Sequence, residues 1–121
     1  MKEIIFATGN ENKVIEIRAL LPESFSIKSL KEIGFVDELP ETQDTIEGNS
    51  LQKAQTLKSI IGKDCFAEDT GLEVEALNGA PGINSARYAG ESKDANANMD
   101  LLLSNLKGKK NRRAQFKTVI T

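Results

Sequence analysis

Two adjacent carboxylates, a hydroxyl and a glycine, Glu68-Asp69-Thr70-Gly71, follow an apolar run that begins at Cys65. Carboxylates at a strand end are candidates for general-base work or for holding a hard cation, because open α/β sheets gather ligands in the crevices beside their strand ends. If strand geometry persists through them, Glu68 and Asp69 point to opposite faces and only one reaches a shared site. Asp69 is the favoured one, since Gly71 lets the chain turn sharply and approach a ligand closely. A β-turn with solvated acids is the alternative. The chain has no histidine and no tryptophan. A Ser-His triad and a His-ligated zinc are therefore excluded, and a base must come from Asp, Glu, Lys or Tyr. A hard metal held by carboxylates is then the expected electrostatic partner.

Cationic and anion-binding groups lie elsewhere along the chain. Thr8-Gly9-Asn10-Glu11-Asn12 is a polar turn between an apolar run and a helical pattern, an order that presents backbone N–H groups and a helix N-terminus to an anion, with Lys13 adding a full charge. It lacks a P-loop or a three-glycine dinucleotide fingerprint, so an ordinary strand-to-helix connection is the competing reading. Asn49 and Lys53 stand four apart and share one helical face. Arg87, between small residues, can clamp a phosphate or pair with a structural carboxylate, while Tyr88 can simply pack. Lys107 to Arg113 place five positive charges in seven residues; these complement a helix C-terminus, or else Arg112 or Arg113 faces a nucleotide.

The elements that must position these groups are legible from periodicity. Lys2 to Ala7 reads as a strand covered on both faces and central in a sheet. Val14, Ile17, Leu20 and Leu21 recur at helical spacing from Lys13 to Pro22, and Phe25 to Leu30 alternates as a half-exposed strand. Residues 31 to 44 form an acidic loop that includes Glu38, Glu41 and Asp44. A second helix carries Leu51, Ala54, Leu57, Ile60 and Ile61 and closes at Gly62. Leu72 to Leu77 alternates as a second strand or extended arm, and Asn78 to Gly82 is rich in turn residues. A third helix runs from Asp94 to Leu106, with Ser92 or Asp94 as N-cap, and residues 114 to 121 alternate as a strand with an open edge.

Composition narrows the class. The 121 residues, 39% hydrophobic, suffice for one domain with its own core. Sixteen basic and eighteen acidic residues give a formal charge of -2, which argues against nucleic-acid polymers or anionic membranes as partners. Cys65 cannot form an intramolecular disulfide, and it reads as a small buried hydrophobe. Met1 to Ala7 is too short a stretch for a signal peptide and no apolar run is long enough to span a bilayer, so the cytoplasm is the expected compartment.

The order of the motifs resembles one family, the Ham1-like inosine/xanthosine triphosphate pyrophosphatases. Phe6-Ala7-Thr8-Gly9-Asn10-Glu11-Asn12-Lys13 is similar to its opening Thr/Ser-x-Asn-x-x-Lys signature. Glu41-Thr42 and Glu47 to Ala54 resemble its Glu-Thr and Glu-Asn-Ala…Lys-Ala blocks, with Gly48 and Ser50 as departures. Ala67 to Leu72 and Gly79-Ala80-Pro81-Gly82…Ser85-Ala86-Arg87-Tyr88 resemble two more. The resemblance implies a three-layer α/β fold, a mixed sheet with helices on both faces. It implies triphosphate binding by Thr8, Gly9, Asn10, Glu11, Asn12, Lys13 and Lys53, and substrate contact by Thr70, with Arg87 a further candidate. Glu41 and Asp69 would hold Mg²⁺, with Asp69 also the base. It implies hydrolysis of ITP, dITP and XTP by a homodimer. Members of the family continue past this last strand with base-binding segments that this chain lacks. A single domain over 1–121, the N-terminal part of such an enzyme, is therefore expected, and the alternative is an inactive fragment that dimerises and binds nucleotide weakly.

Overall fold

The computed structural model of the chain describes residues 2–121; Met1, which opens the stretch read above as too short for a signal peptide, lies outside them. The fold is α/β, and the described residues divide into two compact units. The first comprises residues up to Gln43, then Glu47–Glu68 and Ile120–Thr121. Its sheet contains β1 (Lys2–Phe6), β2 (Phe25–Ser29) and β3 (Cys65–Phe66), with β1 in the middle and all three parallel.

The run Ile4-Ile5-Phe6-Ala7 makes β1 central because it has apolar side chains for both faces. Ile5 and Phe6 are wholly buried and point opposite ways. Ile5 packs with Ala54 and Leu57 of α2 (Ile46–Ile61), whereas Phe6 packs with Val14 of α1 (Glu11–Leu20) and with Ile27. Within this unit helices therefore cover both faces of the sheet, in three layers. The Phe6 and Phe66 rings stack with centroids 4.4 Å apart, which adds to the burial that holds β3 against β1.

Local chemistry sets the helix ends. The helix α1 starts two residues earlier than periodicity predicted, because Asn10 caps it: its side-chain oxygen accepts from the N–H groups of Asn12 and Lys13. As read from sequence, α2 closes at Gly62, whose positive φ of 68° suits a residue without Cβ. Leu51 and Ile60, counted above on its apolar stripe, are exposed, while Asn49 and Ser50 are buried. Cys65 is half-buried with its sulfur 3.6 Å from the Ala54 carbonyl oxygen, and burial pushes its thiol up.

The second unit comprises Asp44–Ile46 and Asp69–Val119. The strand β4 (Glu68–Val74) lies between β5 (Pro81–Gly82) and β6 (Ala114–Ile120). Pairing of β4 with β5 is antiparallel. Glu73 meets Gln115 and Thr70 meets Thr118, so β6 also runs opposite to β4. The chain does not stop at the two acids: β4 runs through Asp69 and Gly71 as far as Val74, and the expected arm from Leu72 becomes a short 3₁₀ turn at Glu75–Leu77. Gly71 therefore does not serve a turn. A Cβ there would lie 2.5 Å from the Gly82 carbonyl oxygen and 2.7 Å from Ile46 Cδ1. The helix α3 (Ala95–Asn105) is capped by Asp94, which accepts from Asn96 and Ala97. Arg112 donates to the Leu106 carbonyl at its other end, so this arginine of the basic run serves the helix C-terminus.

Two predictions follow from this packing. Gly71→Ala should lower the denaturant-unfolding free energy by about 1–3 kcal/mol, since backbone lies on one side of the new methyl and cannot yield cheaply; an unchanged midpoint would mean that the strand shifts freely. Glu32 has its carboxyl held below the ordinary range, first by the Arg18 hydrogen bond and then by the Ser29 N–H. Its stabilising contribution is present above its unfolded pKa and is lost as pH falls through the lowered folded value. Melting curves of wild type and Glu32→Gln should therefore differ at neutral pH and converge in acid.

Candidate functional site

The parallel sheet of the first unit ends at a cluster of opposite charges, a position where strand ends commonly gather ligands. After β1 the chain turns through Thr8 and Gly9 into α1. The Thr8 hydroxyl accepts from the Asn10 N–H at 3.1 Å, and Asn10 in turn takes up the N–H groups of Asn12 and Lys13. Much of the N-terminus read as anion-ready is thus satisfied by its own side chains. What the turn delivers is the Lys13 ammonium, one turn into α1.

Lys13 forms an ion pair with the carboxylate of Glu68. Glu68 lies just past β3, beyond the single residue Ala67, and is 9% exposed. Burial of a carboxylate is costly unless a cation or hydrogen-bond donors match it. Lys53, in the second turn of α2, donates to the Glu68 carbonyl oxygen at 2.7 Å, and its Nζ lies 3.0 Å from Glu41 Oε1. Two ammonium groups and two carboxylates thus form one cradle at the C-terminal edge of the sheet.

The acidic loop is tied to α2 so that Glu41 can take part. Thr42 N–H donates to Gln52 Oε1 at 2.8 Å and Gln52 Nε2 donates back to the Thr42 hydroxyl at 2.7 Å. Gln43 N–H donates to Asn49 Oδ1 at 2.9 Å. Asn49, read as a partner of Lys53 on one helical face, does share that face. Its side-chain oxygen anchors the loop. Gln52 was missed as a positioning residue, although its spacing from Asn49 placed it on the same side of the helix.

The remaining candidates lie in the second unit. Asp69 is half-buried and Thr70 is exposed, with its hydroxyl 2.8 Å from that of Thr118. Arg87 is half-buried in the 3₁₀ turn Ser85–Arg87. That turn is pinned by Asn98 of α3, whose Nδ2 donates to the Ala86 carbonyl at 2.9 Å and whose Oδ1 accepts from Ala89. Ser85 adds a second fixture, accepting from Leu72 N–H and donating to the Gly82 carbonyl. Tyr88 accepts from Asn105 Nδ2 at 2.7 Å, so its hydroxyl belongs to this packing.

Carboxylate oxygens are the donors a small hard cation takes, and Mg²⁺ needs only one or two because water and phosphate oxygens complete its shell. Among the described residues no three Asp, Glu, Cys or His side chains gather as a metal site by themselves. Glu41 Oε1 faces an ammonium. This donor set fits a cation that arrives with phosphates, and it does not form a preformed protein cage.

Two lysines and the acids matched to them thus stand at the strand ends of an α/β fold. The family model of the Ham1 family matches residues 4–121. The chain belongs to the Ham1 family. It is 56% identical over 119 residues to a dITP/XTP pyrophosphatase of Flavobacterium johnsoniae, covering 98% of this chain and 62% of that relative. The structure of the Staphylococcus aureus Ham1 protein matches with a TM-score of 0.90 at 40% identity, over 98% of this chain and 62% of that one. A HAM1 protein from Coxiella burnetii matches with a TM-score of 0.92 at 32% identity, over 99% and 62%. The chain therefore spans less than two thirds of the length of these relatives.

The loop tie yields a direct test. Replacing Asn49 by Ala should cost about 1–3 kcal/mol, the usual loss when a buried hydrogen-bond partner is removed. Amide exchange at Gln43 should accelerate by at least about tenfold, because each tenfold corresponds to roughly 1.4 kcal/mol of lost protection. Unchanged exchange at Gln43 would show that Asn49 does not hold the loop.

Proposed function

We propose that this chain hydrolyses non-canonical purine nucleoside triphosphates, ITP, dITP and XTP, to the monophosphate and pyrophosphate. The observation that carries this reading is the convergence of Lys13 and Lys53 on Glu68 at the end of the parallel sheet. Two ammonium groups on rigid elements suit a polyphosphate tail, whose charge is too concentrated for a single cation to balance. Membership of the Ham1 family and the printed activity of its dITP/XTP pyrophosphatase relatives support the choice of substrate.

In this reading water attacks the α-phosphorus in line, and the bond to the oxygen bridging the α- and β-phosphates breaks. That oxygen keeps the electron pair and leaves as pyrophosphate. Asp69, the residue after Glu68 in the chain, orients the water and accepts its proton. Lys13 and Lys53 bind the phosphates and stabilise the charge that collects on the leaving group. Thr8 to Asn12 shape the turn that carries Lys13, and Thr70 and Arg87 contact substrate. Glu41 and Asp69 would hold Mg²⁺, which when bound supplies Lewis-acid neutralisation of the phosphate oxygens. The same reading places the enzyme in the cytoplasm as a homodimer that clears deaminated nucleotides.

The test is Mg²⁺-dependent release of pyrophosphate from ITP and XTP. Asp69→Asn should lower kcat by about 10²–10⁴-fold, as expected on loss of a general base. Equal rates in the two proteins would remove Asp69 from the mechanism. Calorimetry with ITP and Mg²⁺ separates this reading from that of a chain that only binds nucleotide: absent turnover with weak binding would favour the latter.

A further inference from the structure

Glu68 engages both lysines of the cradle, through two different groups. Its carboxylate pairs with Lys13, and its backbone carbonyl accepts from Lys53 at 2.7 Å. The two sides of the ion pair differ in exposure: the Glu68 side chain is 11% exposed and that of Lys13 is 38%. The carboxylate is fixed in the protein, then, while the ammonium can still be reached from solvent. By contrast, the Glu41 carboxylate that faces Lys53 is 38% exposed and sits on a loop. An anion approaching Lys13 meets a cation already matched by a buried negative charge that cannot readily move aside.

We infer that Glu68 acts as an internal counter-anion for Lys13, which an incoming polyphosphate must displace, and not as a ligand of the metal. The inference rests on the functional reading above. An oxygen in contact with an ammonium is a poor place for a dication, because the two cations repel each other. The same contact makes phosphate binding an exchange: the Glu68–Lys13 pair gives way to a phosphate–Lys13 pair. A multiply charged tail gains more from the freed ammonium than a singly charged group does. Glu68 thereby sets a threshold in favour of polyphosphates. Through its carbonyl, which any residue at this position would present, it also keeps Lys53 aimed at the same place. Its role is that of a positioning and selectivity residue.

The probe is inorganic tripolyphosphate, titrated by calorimetry without added metal into wild type, Glu68→Gln, Lys13→Met and the double variant. Glu68→Gln should bind tripolyphosphate about threefold to thirtyfold more tightly, a range set by the coupling energies of neighbouring charges. Lys13→Met should bind more weakly, and in that background Glu68→Gln should change affinity by less than about twofold, because its effect acts through Lys13. Weaker or unchanged binding by Glu68→Gln, or equal tightening in both backgrounds, would overturn the inference. If the Gln variant fails to fold by near-ultraviolet circular dichroism, wild type carries the test: the Lys13 ammonium resonance must shift on saturation with tripolyphosphate, and a fixed resonance overturns the inference. A second readout is the Mg²⁺ concentration at half-maximal pyrophosphate release. It should be unchanged in Glu68→Gln, whereas a rise of tenfold or more would assign Glu68 to the metal. Wild type that binds tripolyphosphate as described but releases no pyrophosphate from ITP sinks the functional reading alone; wild type that binds no tripolyphosphate sinks both.

Discussion

A buried carboxylate has to be matched, and much of the first unit answers that requirement at Glu68. The residue follows Ala67, which is wholly buried and exchanges both backbone hydrogen bonds with Thr121. With the backbone so fixed, the Glu68 side chain cannot reach water by a small rotation of the chain. Its charge is instead matched by Lys13, which α1 can supply because Asn10 starts that helix three residues earlier. The Asn10 cap thus aims Lys13 as well as satisfying the first N–H groups. The opposite wall of the cradle depends on α2, whose buried Ala54 and Leu57 fix the rotation of the helix and so direct Lys53, one residue before Ala54, to the Glu68 carbonyl. Hydrophobic packing sets the helix phase, and the phase sets the electrostatics.

How far the sequence alone reaches can be judged from the same residues. The central strand was legible because Ile4 to Ala7 has no polar face, and the cap at Asp94 and the stop at Gly62 follow from local chemistry, whereas the Asn10 cap went unread. The strand through Glu68 to Val74 was harder to read. Asp-x-Gly is ordinary turn wording, and nothing local says that Gly71 is there for the close approach of the Gly82 backbone. Here a tertiary contact determined the role of the residue. The alternation rule did anticipate that Glu68 and Asp69 would differ. The sequence favoured Asp69 for its proximity to glycine, and it carried no sign that Glu68 would be the buried one that meets Lys13. Pairings across 55 residues of chain leave no periodic trace. Gln52, which ties down the acidic loop, and Asn98, which pins the turn bearing Arg87, went unread although their helix faces were legible, because their loop partners, 10 and 12 residues away, belong to no helical period.

The charge distribution shows why a net acidic chain can suit a polyanion. Of the five cations between Lys107 and Arg113, Arg112 is engaged at the carbonyl end of α3. Setting those five aside from the formal charge of -2 leaves -7 for the rest. Long-range attraction therefore does little to bring an anion in, and at about 0.1 M salt it is screened beyond roughly 10 Å in any case. Selection must take place at contact distance. The cradle meets that condition, because each of its lysines faces a carboxylate that a phosphate resembles in charge and hydrogen-bonding capacity. When a phosphate takes over the Lys13 ammonium, the buried Glu68 carboxylate loses its partner, and that cost falls on the incoming anion. A bare lysine pair would draw any passing anion. A matched pair yields only to a ligand that offers more charge than the acid it replaces, and this favours a polyphosphate tail over the many singly charged solutes around it.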